Sequence, residues 1–136
     1  MTLCVLDSSA ALAWVLPSEG GPEADALLDQ VADAGAAAPG LWPLEVANTL
    51  LMAERRGRIT LAERQEALSV LADLPIQIDA HTAGHAWTDT LAVAAAHQLT
   101  VYDASYLELA MRLSLPIASL DQALCRAAER CGIRLI

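Results

Sequence analysis

The chain contains no lysine and no phenylalanine, so arginine supplies all eight of its basic residues. Without lysine there is no Walker phosphate-binding loop, G-x-x-x-x-G-K-[ST]. Receiver domains and haloacid-dehalogenase-type phosphatases place a lysine beside their aspartates, so the absence of lysine also weakens any similarity to these two classes.

Long apolar runs and an even set of cysteines are also missing. Proline or a polar residue interrupts each apolar stretch, and the N-terminus lacks the basic start of a signal peptide. The three cysteines form no C-x-x-C motif, which favours reduced thiols. The sequence therefore predicts a cytoplasmic protein that does not cross a membrane.

Length and charge limit what the protein can do. A chain of 136 residues is long enough for one domain with a real core and too short for two. The net charge of −9 argues against broad electrostatic binding of nucleic acid and suits a basic partner. A phosphate substrate remains compatible with this charge if metal ions bridge it to carboxylates.

Predicted strands and helices alternate along the whole chain. The strands are predicted at 3–7, 36–38, 76–78, 99–102, 116–120 and 134–136. The helices are predicted at 9–16, 22–34, 41–56, 61–73, 80–97, 104–113 and 122–131. This alternation is typical of an α/β fold with a mainly parallel central sheet and helices on both faces. Residues 1–136 are predicted to form a single domain.

Three aspartates, Asp7, Asp103 and Asp121, each follow a predicted strand and precede a predicted helix. Aspartate is a favoured N-cap, so capping explains each position taken singly. The carboxyl ends of parallel strands meet at one edge of the sheet, however, and three carboxylates there would repel each other unless a cation lay between them. A hard divalent cation and metal-dependent phosphate chemistry are therefore predicted at this edge.

Glu45 is the fourth candidate, because it and Asn48 interrupt the predicted apolar face of the helix at 41–56. A glutamate at the rim of the core that reaches solvent is one interpretation. The other is a glutamate that faces a metal ion and is supported by Asn48, since an unpaired buried carboxylate is costly.

The chain resembles the PIN-domain ribonucleases, and among them the VapC toxins of bacterial toxin–antitoxin pairs. Four segments in the family's order carry this resemblance: V-L-D-S-S-A-A-L, L-E-V-A-N-T-L-L, T-V-Y-D-A-S-Y-L-E-L-A and P-I-A-S-L-D-Q-A-L-C-R-A-A-E-R-C-G-I. Each motif is weak alone, but together they span almost the whole chain.

The resemblance implies a three-layer α/β/α PIN fold and a Mg²⁺- or Mn²⁺-dependent endoribonuclease, which cleaves RNA through metal-activated water. It also implies a cognate antitoxin protein that blocks the site, and a homodimer. The family's acidic quartet falls on Asp7, Glu45, Asp103 and Asp121. Its supporting polar positions fall on Ser8 or Ser9, Asn48 and Ser119.

Within this quartet, Asp7 and Asp103 are the expected direct metal ligands. Glu45 and Asp121 are expected to hold metal-bound waters or a second ion, and the serines to orient the water or the phosphate. Arg55, Arg56 and Arg58 are candidate RNA contacts, although cations also suit the end of a helix.

Two other functions remain open. A non-catalytic PIN-like scaffold is one, but such modules often lose acidic residues and all four are present here. A related DNA nuclease is the other, but 136 residues leave no room for additional DNA-gripping elements. The sequence leaves the RNA target open among transfer, ribosomal and messenger RNA.

Overall fold

A computed structural model describes residues 2–136. Its strands form one parallel sheet in the order β3-β2-β1-β4. The strands are β1 (Val5–Leu6), β2 (Ala36–Ala38), β3 (Ile76–Ile78) and β4 (Ile117–Ala118). The predicted α/β fold with a parallel sheet is therefore confirmed.

The helices flank this sheet and connect its strands. They are α1 (Ser8–Leu12), α2 (Pro22–Ala34), α3 (Trp42–Arg55), α4 (Leu61–Ala72), α5 (Thr82–His85), α6 (Leu91–His97), α7 (Val101–Leu113) and α8 (Gln122–Arg130). A π-helical turn, Ala86–Thr90, joins α5 to α6. Within residues 2–136, no helix has the length and apolar character that a membrane span requires.

The central strand β1 lies in the middle of the core. Val5 pairs with Ala37 on one side and with Ile117 on the other. All residues of β1, β2 and β4 are buried, as expected of parallel strands covered on both faces. The short apolar runs of the sequence therefore form the buried central sheet against which the helices pack.

The chain from 99 to 102 is not a strand, which corrects the prediction. Thr100 caps α7 by accepting a hydrogen bond from the backbone N–H of Asp103 at 3.1 Å. Leu-Thr-Val-Tyr has the β-branched and aromatic composition of a strand, but this cap and the packing of α7 decide the conformation. Asp103 therefore lies in the first turn of a helix rather than at a strand end.

Two other boundaries differ from the prediction. The predicted last strand at 134–136 is reduced to an isolated bridge between Ile117 and Leu135. The first helix ends at Leu12 instead of residue 16, and turns carry the chain onward to α2. The capping box that opens α4 is as predicted: Glu63 N–H donates to Thr60 and Thr60 N–H donates to Glu63.

The buried face of α3 is not the predicted one. Its buried residues are Trp42, Val46, Leu50 and Ala53. The side that the pattern assigned to the core includes Leu44, which is 73% exposed, and Asn48, which is also exposed. Glu45 is partly buried between these two sides, so it borders the core without interrupting it.

A charged network ties β3 to α7. Arg112 donates two hydrogen bonds to Asp79, the residue after β3, at 3.1 and 2.7 Å. The same guanidinium donates to both oxygens of the buried Glu108, at 2.8 and 3.0 Å. Thr82 donates to Asp79 and accepts from the N–H of Gly40, which precedes α3. Two helices and the end of β3 are thereby fixed to one another.

Candidate active site

Asp7 directly follows β1 and is 5% exposed. It occupies the N-cap position of α1 without a capping bond from its side chain. Instead, its Oδ2 accepts hydrogen bonds from the hydroxyls of Ser9, at 2.6 Å, and Ser119, at 2.7 Å. Capping thus fails to explain Asp7, and its carboxylate is fixed by two serines that the sequence had singled out.

The same two serines join the ends of β1 and β4. Ser9 Oγ accepts from the backbone N–H of Leu120 at 2.9 Å, and Ser119 Oγ accepts from that of Asp121 at 2.9 Å. These bonds hold the loop after β4 against the start of α1. The carboxyl ends of two neighbouring strands therefore meet at Asp7.

Glu45 reaches the site from α3 and is held by Tyr106. The Tyr106 hydroxyl donates to Glu45 Oε1 at 2.5 Å, and the tyrosine side chain is fully buried. Burial, followed by the neighbouring Glu45, raises the pKa of Tyr106, so this hydroxyl stays protonated and donates. Asn48, the predicted support, is exposed on the same helix.

Tyr106 is a residue of the candidate site that the sequence reasoning missed. It follows Asp103 by three residues, a spacing that puts both side chains on one face of α7. That spacing was a usable signal. Ser8 also lies close enough to Tyr106 for its hydroxyl to lower the pKa of the tyrosine.

Asp103 and Asp121 complete the quartet from α7 and from the N-cap of α8. Asp121 Oδ1 accepts from the backbone N–H of Leu124 at 3.0 Å, so the capping interpretation holds for this residue. Asp103 does not cap a helix, because Thr100 caps α7. Both carboxyl groups are partly exposed.

The four acidic residues are close enough to act on each other electrostatically. Burial raises the pKa values of Asp7, Glu45 and Asp103 above their usual range. Repulsion adds to this effect: Asp121 raises the pKa values of Asp7 and Asp103, and Asp7 raises that of Glu45. Hydrogen bonds from the serines to Asp7 and from Tyr106 to Glu45 act in the opposite direction.

The donor atoms of this cluster suit a hard divalent cation, since all are carboxylate oxygens and ionising them together is unfavourable. Within residues 2–136, no three His, Cys, Asp or Glu side chains are already arranged to hold a metal ion. A cation at this site would therefore have to draw the side chains closer together.

We expect Asp7→Asn to stabilise the metal-free protein. A carboxyl group whose pKa is raised on folding favours unfolding once the pH exceeds its unfolded-state pKa. The metal-free wild type should therefore lose stability as the pH rises from about 4 to neutrality. Asp7→Asn should have a melting temperature a few degrees above that of the wild type at pH 7. Its melting temperature should also decrease less as the pH rises.

Thermal unfolding in EDTA across this pH range measures the effect. Asp89→Asn is the control, because its side chain is 72% exposed and lies outside the cluster. If the melting temperatures of wild type and Asp7→Asn depend on pH in the same way, the prediction that the Asp7 carboxylate destabilises the metal-free protein is wrong.

The predicted arginines lie away from these carboxylates. Arg55, Arg56 and Arg58 are exposed where α3 ends. Ten residues separate Arg55 from Glu45, which corresponds to about 15 Å along the helix. They therefore do not join the acidic cluster.

A cavity of about 480 Å³ lies beside the cluster, between α1, the start of α2 and the loop after β4. Its apolar lining includes Ala10, Leu27 and Leu120, and it shares Ser119 with the acidic site. Two glutamates, Glu19 and Glu23, also line it. The cavity is thus apolar with acidic residues along its lining.

Comparison with known proteins agrees with the fold and the motifs. The PIN domain family profile matches residues 4–130. The chain is 31% identical to Ribonuclease VapC3 from Pyrobaculum aerophilum over 120 residues, 88% of this chain and 90% of the relative.

Two crystal structures share the fold. That of PAE2754 from Pyrobaculum aerophilum has a TM-score of 0.69 at 26% identity and covers 93% of this chain and 87% of its own. That of FitAcB from Neisseria gonorrhoeae has a TM-score of 0.64 at 16% identity, with 97% and 95% covered. The chain therefore belongs to the PIN-domain family and is a homologue of a VapC ribonuclease.

Proposed function

We propose that the protein is a Mg²⁺- or Mn²⁺-dependent endoribonuclease and the toxin of a toxin–antitoxin pair. The observation that carries the proposal is the electrostatic proximity of Asp7, Glu45, Asp103 and Asp121, which four separate parts of the fold contribute. Three of their pKa values are raised by burial and mutual repulsion. Similarity to a protein named as a ribonuclease supports RNA as the substrate.

In this proposal Asp7 and Asp103 bind the cation directly, while Glu45 and Asp121 bind it through water or hold a second ion. A bound divalent cation supplies positive charge at the scissile phosphate and makes a water molecule easier to deprotonate. Ser9 and Ser119 orient Asp7 by their hydrogen bonds. Tyr106 orients Glu45 in the same way.

Binding of RNA relies little on the overall charge of the protein. The net charge is −9, so the cation and a few exposed arginines must offset repulsion of the RNA backbone. Arg55, Arg56 and Arg58 serve this purpose in the proposal, away from the site of cleavage. We also propose a homodimer, which sedimentation of the purified protein tests.

A single-stranded RNA oligonucleotide and the DNA of equal sequence distinguish the proposed activity from its alternatives. A metal-dependent ribonuclease cleaves the RNA in Mg²⁺ or Mn²⁺, is inactive in EDTA, and leaves the DNA intact. Cleavage of DNA alone favours the related DNA nuclease. Because a sequence-selective enzyme needs its own target, labelled total cellular RNA is included; if neither RNA nor DNA is cleaved, the scaffold alternative is favoured.

The cavity beside the cluster supports an antitoxin as the partner. An apolar lining with Glu19 and Glu23 suits an amphipathic segment that carries basic residues. Such a segment would lie next to Ser119 and cover the acidic site. The negative charge of the whole chain favours a basic partner in the same way.

We expect expression of the chain alone to arrest growth, and co-expression with the basic-tailed antitoxin to restore it. Glu19→Arg with Glu23→Arg should weaken this rescue, because the reversed charges repel the basic segment. The control is the double variant Glu66→Arg with Glu129→Arg, since both residues are exposed on helices. Growth curves are compared for four strains: the chain alone, the chain with the antitoxin, and each double variant with the antitoxin. Normal growth with the chain alone would contradict the toxin proposal.

A further inference from the structure

Large exposed apolar side chains adjoin three of the four acidic residues. Leu44 precedes Glu45, Tyr102 precedes Asp103, and Leu120 precedes Asp121. The three apolar side chains are 73%, 66% and 63% exposed, in that order. A single exposed leucine is ordinary, but several around one site indicate a surface that binds a ligand or a partner.

The proposed antitoxin accounts for one of these three side chains. Leu120 lines the cavity that we assign to that partner. Leu44 and Tyr102 do not belong to the lining of this cavity, so it gives them no role. Of these two, Tyr102 has the aromatic ring, which offers a flat face to another ring.

The position of Tyr102 on α7 places it beside the acidic site. Residues three and four apart on a helix share one face, so Asp103 and Tyr102 both lie one turn from Tyr106 on the same side of α7. That side faces α3, because the hydroxyl of Tyr106 donates to Glu45. Tyr102 therefore lies next to one acidic residue and on the side of α7 that faces another.

The backbone that carries this exposed ring is fixed. The buried Ser105 donates a hydrogen bond to the carbonyl oxygen of Tyr102 at 2.6 Å. Thr100 caps the same turn of α7. A rigidly mounted aromatic side chain loses little conformational entropy when it binds a ligand. Tyr102 thus has the exposure and the support of a binding residue.

The chemistry of the proposed substrate indicates what this ring binds. A cluster of carboxylates repels the phosphates of RNA, so charge alone holds the strand poorly at this site. A nucleobase is neutral, lies one sugar away from its phosphate, and stacks on aromatic side chains when it is unpaired. We propose that the ring of Tyr102 stacks on an unpaired base next to the phosphate that is cleaved. The inference rests on the proposed ribonuclease function and adds a residue that binds its substrate.

The test measures binding of a fluorescein-labelled single-stranded RNA that spans a cleavage site mapped in total cellular RNA. Anisotropy is recorded in Mg²⁺ with Asp103→Asn as the parent protein, so that the RNA stays intact. Tyr102→Ala in this parent should raise the dissociation constant about five- to 150-fold, the effect of one stacked base. Tyr102→Phe is the matched control, because it keeps the ring, and it should bind within about twofold of the parent.

A set of RNAs that each lack one base identifies the base that stacks. One of these RNAs should bind the parent as weakly as the complete RNA binds the Tyr102→Ala protein. With that RNA, Tyr102→Ala should have no further effect, because the base that the ring contacts is already missing. A structural role for Tyr102 would instead weaken binding of every RNA in the set by the same factor, and the inference would then be wrong.

Two other results would also overturn the inference while leaving the proposed function in place. If Tyr102→Ala binds RNA as its parent does but weakens growth rescue by the antitoxin, the ring contacts the protein partner instead of a base. If Tyr102→Phe binds as weakly as Tyr102→Ala, the hydroxyl and not the ring is what matters. If the wild type cleaves no RNA in Mg²⁺ or Mn²⁺, the proposed function itself fails. Tyr102 is exposed, so each variant should keep the melting temperature of its parent.

Discussion

Asp103→Asn should reduce RNA cleavage by more than about a hundredfold, since loss of a residue that merely supports a metal ligand already costs 10–100-fold. Asp103 lies in the first turn of α7, where burial and its neighbours Asp121 and Asp7 raise its pKa. An amide there keeps the shape of the side chain but removes the negative charge. The cation would then lose one of its two expected direct ligands.

Initial rates on labelled RNA, for wild type and variant purified in the same way, measure this effect. Asp89→Asn is the control, because its side chain is 72% exposed. It should keep the wild-type rate. Equal rates for wild type and Asp103→Asn would have two explanations: Asp103 is not part of the site, or a contaminant cleaves the RNA. A variant with all four acidic residues replaced distinguishes them, because only a contaminant would still cleave RNA in that preparation.

The largest loss of stability should come from Arg112→Met, at about 2–3 kcal/mol, because the pair is partly buried and a buried carboxylate that loses its charged donor costs about that much. Arg112 is the only described partner of the Glu108 carboxylate within residues 2–136, and Glu108 is 5% exposed. Methionine fills much of the volume of the arginine but leaves this charge buried without a partner. Asp79 loses both of its bonds to the guanidinium as well.

Chemical denaturation at pH 7 measures this loss. Arg126→Met is the matched control, since Arg126 is exposed on α8 and its substitution should change stability by no more than about 0.5 kcal/mol. Similar free energies of unfolding for the two variants would show that the network of Arg112 contributes no more to stability than a surface arginine does.

The same network sets a dependence on acid. Hydrogen bonds from Arg112 lower the pKa of Asp79 from 3.8 to about 2. The stabilisation that this pair provides is therefore complete above about pH 4 and disappears as the pH falls toward 2. Arg112→Met should lack this part of the acid transition.

Local signals in the sequence predicted much of the fold. Gly35 and Pro39 flank β2, Pro75 precedes β3, and the capping box of α4 depends on residues three apart. These elements therefore appear where the pattern placed them. The prediction of a strand at 99–102 was wrong because the Thr100 cap of α7 outweighed the strand-like composition of this segment. The buried side of α3 depends on which neighbouring helices and strands cover it, and spacing within the helix does not reveal that.

In the acidic site, too, the sequence predicted the residues better than the long-range contacts between them. Asp7, Asp103 and Asp121 were singled out where a predicted strand meets a predicted helix, and Glu45 as a polar residue on a predicted apolar face. These signals, and the family motifs that agree with them, are local. The hydrogen bond from Tyr106 to Glu45 spans 61 residues of sequence, and the bonds between Arg112 and Asp79 span 33. Contacts of this range follow from the packing of α3, α7 and β3, and one sequence alone carries no direct sign of them.

A crystal structure of the protein soaked in Mn²⁺, with an anomalous difference map, tests most directly whether the four carboxylates hold a divalent cation. The expected result is a peak bound by oxygens of Asp7 and Asp103, with Glu45 and Asp121 contacting it directly or through water, and with the bond from Tyr106 to Glu45 kept. A map with no peak among these residues, or with manganese bound only elsewhere on the protein, would contradict the proposed metal site.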